Sequence, residues 1–274
     1  MTYYKELLSG NPDDYAIYAQ TSFRPEMRLL AQATDVSSKY TRRGEEEYRR
    51  IAEYISTAVK AREGNYMAFF PSYDFMDKVA QQLSAFGGFY SENDENRAFE
   101  LTEDGDKKAE RNKPVRVLKQ KSRMSEDERE AFLSTFDEVC ETKVGLCVMG
   151  GIFAEGIDLA DEKLIGAIVV GTGLPMINTE SEIAKKHFDG QEKDGFAYAY
   201  RYPGMNKVMQ AAGRVIRKDS DRGVILLLDE RFSYSEYRRL FPKEWEDVKI
   251  VKIGSLQAEL ENFWSGAGAN ADDR

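Results

Sequence analysis

Short, almost wholly apolar segments alternate along this chain with longer segments of helical character. The apolar segments span residues 66–70, 115–118, 144–149, 165–170 and 224–228, and residues 248–253, where two lysines interrupt the apolar pattern, are a further expected strand. A strand that is apolar at nearly every position is buried on both faces, which is typical of a parallel sheet covered by helices on either side. The pattern therefore predicts an α/β fold, in which a parallel β-sheet carries helices on both faces.

The first helical segment spans residues 44–62, where Ile51, Ile55 and Val59 recur every fourth residue among charged side chains. This spacing places one apolar stripe along a helix. A second helix is predicted over residues 74–86, after the first apolar strand. Both helices would cover the sheet.

A third helix begins at a recognisable capping box. Ser125 stands three residues before Glu128, so the serine oxygen can accept from a free backbone N–H while the glutamate reaches back. The helix behind this box is expected to bury Phe132, Phe136 and Val139.

The 274 residues are enough for one large α/β domain. We expect an irregular lead-in over residues 1–43, with one possible short strand at 15–20, and a domain over residues 44–265. A charged insertion, a loop or hairpin, is expected at about residues 87–113, because that stretch is acidic first and basic later. Residues 266–274 are expected to form a frayed tail.

The formal net charge of −9 argues against a basic surface that coats nucleic acid, although a local basic groove remains compatible with it. The opening residues do not resemble a signal peptide, and no apolar run approaches the length of about 20 residues that spans a bilayer. We therefore expect a cytoplasmic protein without a membrane partner.

The cysteine and histidine content predicts no metal site. Cys140 and Cys147 match no common zinc or iron–sulfur spacing, and their apolar surroundings favour buried, reduced thiols. The single histidine, His187, is expected on a helix surface.

Small, polar or charged residues follow four of the predicted strands, at residues 71–73, 150–158, 171–175 and 229–231. In open α/β sheets ligands bind at the carboxyl ends of the strands, so these residues predict an active edge. Within them Glu155 and Asp158 could bind a metal, a ribose hydroxyl or nothing, while Tyr73 and Phe153 could stack on bases or belong to the core.

A helix predicted over residues 203–218 carries the most informative polar pattern, and Pro203 suits its first turn. Gln210, Arg214 and Arg217 fall on one stripe, opposite an apolar face formed by Val208, Ala212 and Val215. Two guanidinium groups and an amide make a good anion clamp, and they also fit a solvated polar face. Gly213 inside the helix suggests a close backbone approach.

The chain contains no G-x-x-x-x-G-K-[ST] loop and no Asp-Glu-Ala-His box. It therefore lacks the residues that would hold ATP and Mg²⁺ without help from another domain.

Three blocks together resemble the helicase motifs of the Rad3/XPD/DinG family. Residues 69–73 (FFPSY) resemble motif IV, residues 151–159 (GIFAEGIDL) resemble motif V, and residues 210–217 (QAAGRVIR) resemble motif VI, followed by the similar residues 229–232 (DERF). The blocks stand in the family's order, and the resemblance runs from about residue 22 to residue 245.

The resemblance implies the second RecA-like domain of a superfamily 2 DNA helicase, which closes on ATP and Mg²⁺ that are held mainly by a first domain. It implies that Arg214 and Arg217 are arginine fingers positioned by Gln210, and that Glu155, Gly156, Asp158 and Gly213 lie on the ATP side. The DNA-binding residues it implies are Ser72, Tyr73, Phe153 and Arg201.

The partners implied are single-stranded DNA and the N-terminal RecA-like domain of the same full-length protein. We expect no iron–sulfur cluster in this chain, because it offers no set of four cysteines. We also expect no ATP hydrolysis by the chain alone.

Two other functions are compatible with the sequence. The chain could be a non-catalytic RecA-like module that binds nucleic acid or a protein partner, or an unrelated nucleotide-binding α/β enzyme. The absence of a G-x-G-x-x-G fingerprint after the first predicted strand counts against the second of these.

Overall fold

The computed structural model of the chain describes residues 24–91, 113–138, 141–153, 164–216 and 221–266, together with residues 9, 11 and 13–15. Within them lies one sheet of eight strands, in the order β3-β4-β5-β2-β6-β7-β1-β8. The strands are β1 Arg28–Ala33, β2 Asn65–Phe70, β3 Phe89–Ser91, β4 Val115–Lys119, β5 Thr142–Val148, β6 Gly166–Val170, β7 Gly223–Leu228 and β8 Lys249–Val251.

Every neighbouring pair of strands is parallel, which confirms the predicted sheet. The helices are α1 Glu45–Ala61, α2 Tyr73–Ser84, α3 Glu126–Ser134, α4 Thr179–Asp189, α5 Tyr202–Ala212, α6 Ser235–Arg238 and α7 Ile253–Ser265. Helices α1, α2 and α7 cover one face of the sheet, and α3 and α5 cover the other.

Strand β2 shows why the apolar segments are continuous. Tyr66, Ala68 and Phe70 pack into the core under α1 and α2, whereas Met67 and Phe69 pack into the core on the opposite face. Because side chains alternate between the two faces of a strand, both faces of the sheet need apolar residues at every position.

The expectation of an irregular lead-in over residues 1–43 was wrong for β1, which lies between β7 and β8. Arg28 and Gln32 interrupt its apolar pattern, and this concealed the strand. Gln32 is nevertheless fully buried, because its side-chain amide donates to the hydroxyl of Ser233. The possible strand at 15–20 lies outside the described residues, apart from the exposed Tyr15.

The interpretation of residues 87–113 as an insertion missed the short edge strand Phe89–Ser91, which pairs with β4. Residues 92–112 lie outside the described part of the chain. Helix α7 was not anticipated, and for α4 only the helical position of His187 was expected, without bounds. Helix α4 buries none of its residues completely, so it carries no strong apolar stripe. Of the expected tail, only Gly266 is described.

The capping box is confirmed, since Ser125 accepts from the N–H of Glu128 and the Glu128 carboxylate accepts from the N–H of Ser125. Phe132 and Phe136 are buried as expected, while Val139 lies outside the described residues.

The predictions of a buried, reduced Cys147 and of His187 on a helix surface are both confirmed. Cys147 is a free, buried thiol whose pKa is raised by burial, and His187 is exposed on α4. Cys140 is not among the described residues. No helix in the described ranges is long and apolar enough to cross a membrane.

Candidate functional site

The carboxyl ends of the parallel strands meet at one side of the sheet, which we call the carboxyl edge. Strands β5, β2, β6 and β7 are consecutive neighbours in space, so the four predicted polar strand ends do lie side by side. The loop after β1 lies at the same edge, because the N–H of Glu230, after β7, donates to the carbonyl of Val36 at 2.8 Å.

Asp229 is the centre of the hydrogen-bond network at this edge and is fully buried. Its carboxylate accepts from the backbone N–H of Ser38 at 2.8 Å and from the Ser38 hydroxyl at 2.9 Å. The Arg231 guanidinium donates to both carboxylate oxygens at 2.8 Å. Burial alone would raise the pKa of Asp229, but the bonds and charge of Arg231 and the N–H of Ser38 outweigh it and hold the pKa below its ordinary value.

A glycine lets the loop after β1 press against the end of β6. Gly171 has a φ of +86°, and a Cβ there would lie 2.4 Å from the Ser38 hydroxyl oxygen. Only glycine fits this combination of left-handed backbone and close contact. The carboxyl ends of β1, β6 and β7 are thereby locked together.

Ser72 and Tyr73 lie at the same edge, after β2. The Ser72 hydroxyl accepts from the N–H of Phe75 at 3.2 Å and so caps α2. The Tyr73 hydroxyl accepts from the side-chain amide of Gln120 at 3.0 Å, and partial burial raises the pKa of Tyr73. Gln120 in turn accepts from the N–H of Val148 at 2.8 Å, which ties the ends of β2, β4 and β5 together.

Phe153 and Arg201, both expected to contact DNA, are engaged inside the fold. Phe153 is 1% exposed and stacks on Phe132 with ring centroids 4.4 Å apart, so its ring belongs to the core. The Arg201 guanidinium bonds to Asp194 at 3.1 Å and lies over the ring of Tyr237. Neither side chain is presented to a passing strand, which corrects that expectation.

The helix predicted over residues 203–218 is shorter than expected. Pro203 does occupy its first turn, but α5 ends at Ala212 and Gly213 is its C-cap, with its N–H donating to the Met209 carbonyl at 2.9 Å. A Cβ on Gly213 would meet only the helix's own Met209 and Gln210 carbonyls. The glycine therefore marks the helix end, and the expected approach of other backbone at this point is absent from the described residues.

Val215 is buried three residues after the helix ends. Val215 is 4% exposed, and its side chain packs 2.1 Å from where a Cβ on Gly223 would stand, at the start of β7. Arg214, half-buried, follows the helix in a turn, next to the exposed Gln210.

The other end of α5 is fixed at the carboxyl edge. Gly173, in the loop after β6, has a φ of +67°, and a Cβ there would lie 2.4 Å from the Gly204 carbonyl oxygen. Helix α5 thus crosses the sheet from the carboxyl edge to the side where the strands begin, which we call the amino edge. A five-residue π-helix, Ala197–Arg201, leads directly into it.

The expected site residues consequently divide into two groups. Ser72 and Tyr73 lie at the carboxyl edge, whereas Gln210 lies in the last turn of α5 and Gly213 and Arg214 follow its end toward the amino edge. The six residues of β7 separate the two edges by about 20 Å. The remaining expected residues, Glu155, Gly156, Asp158 and Arg217, lie outside the described part of the chain.

Sequence reasoning missed Ser38 and Gln120, which organise the carboxyl edge. Gln120 directly follows β4, so the rule that ligands and polar groups gather after strands would have found it. Ser38 follows a strand that was itself missed. In the parts of the chain that can be described, no group of three or more His, Cys, Asp or Glu side chains could hold a metal ion.

Comparison with known families places most of the chain in one of them. Residues 55–248 match the family model described as "Helicase C-terminal domain". The matched span runs from α1 to the residue before β8, and it includes residues from both edges.

Two curated relatives are also helicases by name. The chain is 28% identical over 218 residues to the ATP-dependent DNA helicase chl-1 of Caenorhabditis elegans, covering 78% of this chain and 24% of the relative. It is 25% identical over 203 residues to the ATP-dependent DNA helicase XPD of Sulfolobus acidocaldarius, covering 72% and 30%. The chain therefore spans about a quarter to a third of the length of these relatives.

A solved structure titled "XPD_Helicase" matches with a TM-score of 0.59 at 21% identity, covering 82% of this chain and 35% of that one. This likeness shows the fold, a RecA-like parallel sheet with helices on both faces. With the family match and the curated relatives, it confirms the resemblance drawn from the three motifs: the chain belongs to the helicase C-terminal domain family, in its Rad3/XPD branch.

Proposed function

We propose that this chain is the second motor domain of an ATP-dependent DNA helicase. In this proposal the amino edge closes on ATP held by a first RecA-like domain of the same full-length protein, and the carboxyl edge contacts single-stranded DNA. The observation that carries the proposal is the end of α5, where the exposed Gln210 and the neighbouring Arg214 stand together at one edge of a domain from the helicase family.

Arginine suits the proposed role at the amino edge. A guanidinium stays charged at all relevant pH values and offers a rigid fork of donors that matches phosphate oxygens. Arg214 is half-buried beside a helix end anchored by Val215, so little side-chain freedom is left to lose when a phosphate binds. Arg217 would act with it as the second arginine finger, and Gln210 would position both.

ATP, with Mg²⁺ held by the first domain, supplies the phosphoryl group that is cleaved. Glu155, Gly156 and Asp158 belong to the connection between the carboxyl end of β5 and the start of β6. A connection between the two edges suits residues that link bound nucleotide to the DNA track.

At the carboxyl edge, Ser72 and Tyr73 are the expected residues that remain available for DNA. Both are half-buried at the start of α2, where backbone N–H groups and the positive end of the helix favour a phosphate. The named relatives are DNA helicases, which favours a DNA track for this edge.

The test is DNA-stimulated ATP hydrolysis by the full-length protein, comparing wild type with Arg217→Ala. An arginine finger contributes a factor of about 10³ or more to the rate, so we expect at least a hundredfold loss. Arg49→Ala is the control, because Arg49 is exposed on α1 and pairs only with Glu46 and Glu53 among the described residues. An unchanged rate for Arg217→Ala would favour the non-catalytic module.

A second measurement concerns the chain by itself. The proposal assigns ATP binding mainly to the first domain, so the purified chain should not hydrolyse ATP with or without single-stranded DNA. Turnover above that of an Arg214→Ala/Arg217→Ala double variant would contradict this part of the proposal.

A further inference from the structure

We infer that Tyr40 and Arg43 form a base-stacking and phosphate-binding contact for single-stranded DNA at the carboxyl edge. No sequence motif pointed to these residues, and the inference deepens the proposed function by naming a further part of its DNA track. It rests on the proposal that the carboxyl edge binds DNA.

Tyr40 is the first residue to consider, because 84% of its surface is exposed. It belongs to a 3₁₀ turn, Tyr40–Arg42, in the loop that follows β1. Large aromatic side chains usually bury most of their area, so an exposed ring on a well-anchored loop at a ligand-binding edge is a candidate for stacking.

The loop that carries Tyr40 is held rigidly in place. Ser38, two residues earlier, is bonded to the buried Asp229 through both its N–H and its hydroxyl. The turn is closed by the N–H of Arg42 donating to the Lys39 carbonyl at 2.9 Å. A ring presented from such a loop stacks at a low entropic cost, because the backbone is already ordered.

Arg43 supports the ring and adds a positive charge. Its guanidinium lies 5.5 Å from the centroid of the Tyr40 ring and 5.3 Å from that of Phe75. Its Nε donates to the Ser38 carbonyl at 3.4 Å. These contacts orient the guanidinium without neutralising it.

The neighbouring basic residues Lys39 and Arg42, unlike Arg43, form salt bridges. Lys39 pairs with Glu230 at 2.8 Å, and Arg42 pairs with Glu47 at 3.0 Å. Within the described ranges no carboxylate lies within 4 Å of Arg43, so its charge remains available for an anion. Of the basic residues in this loop, Arg43 is therefore the one suited to a phosphate.

The position of the pair fits a strand that runs along the carboxyl edge. Ser38 packs against Gly171 after β6, and Phe75 lies in the first turn of α2, where it donates to Ser72. Tyr40 and Arg43 thus stand between the end of β6 and the proposed DNA contacts Ser72 and Tyr73. A nucleobase on the Tyr40 ring would place its own backbone phosphate near Arg43 and the next nucleotide toward Ser72.

The chemistry selects unpaired nucleic acid of any sequence. A tyrosine ring can stack only on a base whose face is free, and every base offers such a face. A single guanidinium reads phosphate and not base identity. Duplex DNA, with its bases covered, should gain little from this contact.

The experiment is equilibrium binding of a fluorescently labelled oligothymidylate to the full-length protein, at several salt concentrations and without nucleotide. Stacking of one base contributes about 1–3 kcal/mol, so Tyr40→Ala should weaken binding roughly fivefold or more. Tyr40→Trp should retain the affinity, and its added fluorescence should be quenched by the oligonucleotide. Arg43→Ala should weaken binding and reduce the salt dependence by about one counterion.

Arg62→Ala is the matched control, because Arg62 also lies over an aromatic ring, that of Trp264, but at the far end of α1. It should leave the affinity within twofold of wild type. Unchanged binding by folded Tyr40→Ala and Arg43→Ala would overturn the inference even if wild type binds DNA and hydrolyses ATP. Failure of wild type itself to bind single strands would instead refute the proposed function.

Discussion

The carboxyl edge and the amino edge of the sheet are organised in contrasting ways. At the carboxyl edge, Asp229 and Gln120 join the ends of five strands through hydrogen bonds that lie inside the domain. Toward the amino edge, α5 ends at Ala212. Gln210, in its last turn, is exposed, and Arg214, two residues beyond the helix, is half-buried.

This difference indicates what each edge needs in order to work. The carboxyl edge is already ordered, so it can bind a strand without rearranging. The arginine-bearing edge supplies only part of a site, and charged groups of this kind act strongly only when a closing partner removes water from around them. Helix α5, which begins at the carboxyl edge and ends toward the amino edge, is one of the elements that connect the two.

The largest expected effect is at the amino edge. Arg214→Ala in the full-length protein should reduce DNA-stimulated ATP turnover by about a factor of 10³ while leaving single-stranded DNA affinity within twofold of wild type, because the two edges are about 20 Å apart. Turnover and binding are measured on the same preparation. An equal loss of ATP turnover and of DNA affinity would contradict the assignment of ATP to one edge and DNA to the other.

The next largest effect is on stability, at the carboxyl edge. Asp229→Asn leaves the Arg231 guanidinium buried without its carboxylate, which should lower the free energy of unfolding by about 3 kcal/mol at neutral pH. Since the folded-state pKa of Asp229 is lowered, its stabilisation is present above the ordinary value of 3.8 and is lost as the pH falls through the folded-state value.

Denaturant titrations of wild type and Asp229→Asn at several pH values measure whether the stabilisation by Asp229 is lost as the pH falls. The two unfolding curves should converge in acid and diverge toward neutral pH. Asp74→Asn serves as the control, because Asp74 is exposed on α2. A difference that grows in acid would contradict the assigned pKa direction.

A smaller effect is expected where the two edges are coupled. Gly173→Ala combines a left-handed backbone with a Cβ only 2.4 Å from the Gly204 carbonyl oxygen, and strain of this kind costs about 1–3 kcal/mol. Gly254→Ala is the control, since a Cβ there meets nothing within 4 Å. Thermal unfolding should distinguish the two, and equal midpoints would show that the start of α5 tolerates displacement.

The smallest effect is expected for Tyr73→Phe, which removes the hydroxyl that accepts from Gln120. Loss of one partly exposed hydrogen bond costs about 1 kcal/mol of stability, and the ring remains in place. Single-stranded DNA affinity should change less than it does in Tyr40→Ala. A larger loss of affinity in Tyr73→Phe would move the principal aromatic contact from Tyr40 to Tyr73.

Much of the fold could be predicted from sequence because its central strands are apolar on both faces. Strand β1 was not predicted, because Gln32 is buried through a hydrogen bond to Ser233, a long-range pairing that no local sequence pattern reveals. The bounds of α4 could not be predicted for the opposite reason, since it buries no residue completely and so has no apolar stripe to detect.

The site was predictable in its parts and not in their arrangement. Residue spacing placed Gln210 and Arg214 on one helical stripe, but the helix ends at Ala212, with Gly213 as its C-cap, so Arg214 lies beyond it. Phe153 shows a similar limit, because an aromatic residue after a strand has the same sequence signal whether it faces a ligand or, as here, stacks on Phe132.

The proposed motor requires that the two edges communicate when ATP is bound, and a coupling measurement tests this requirement. Single-stranded DNA affinity of the full-length protein would be measured with and without a non-hydrolysable ATP analogue, for wild type and Arg214→Ala. We expect the analogue to shift the affinity of wild type by at least about fivefold, a typical coupling between sites, and to leave that of Arg214→Ala unchanged. A full shift in Arg214→Ala would show that this arginine does not couple bound nucleotide to the carboxyl edge, and would contradict the proposed coupling.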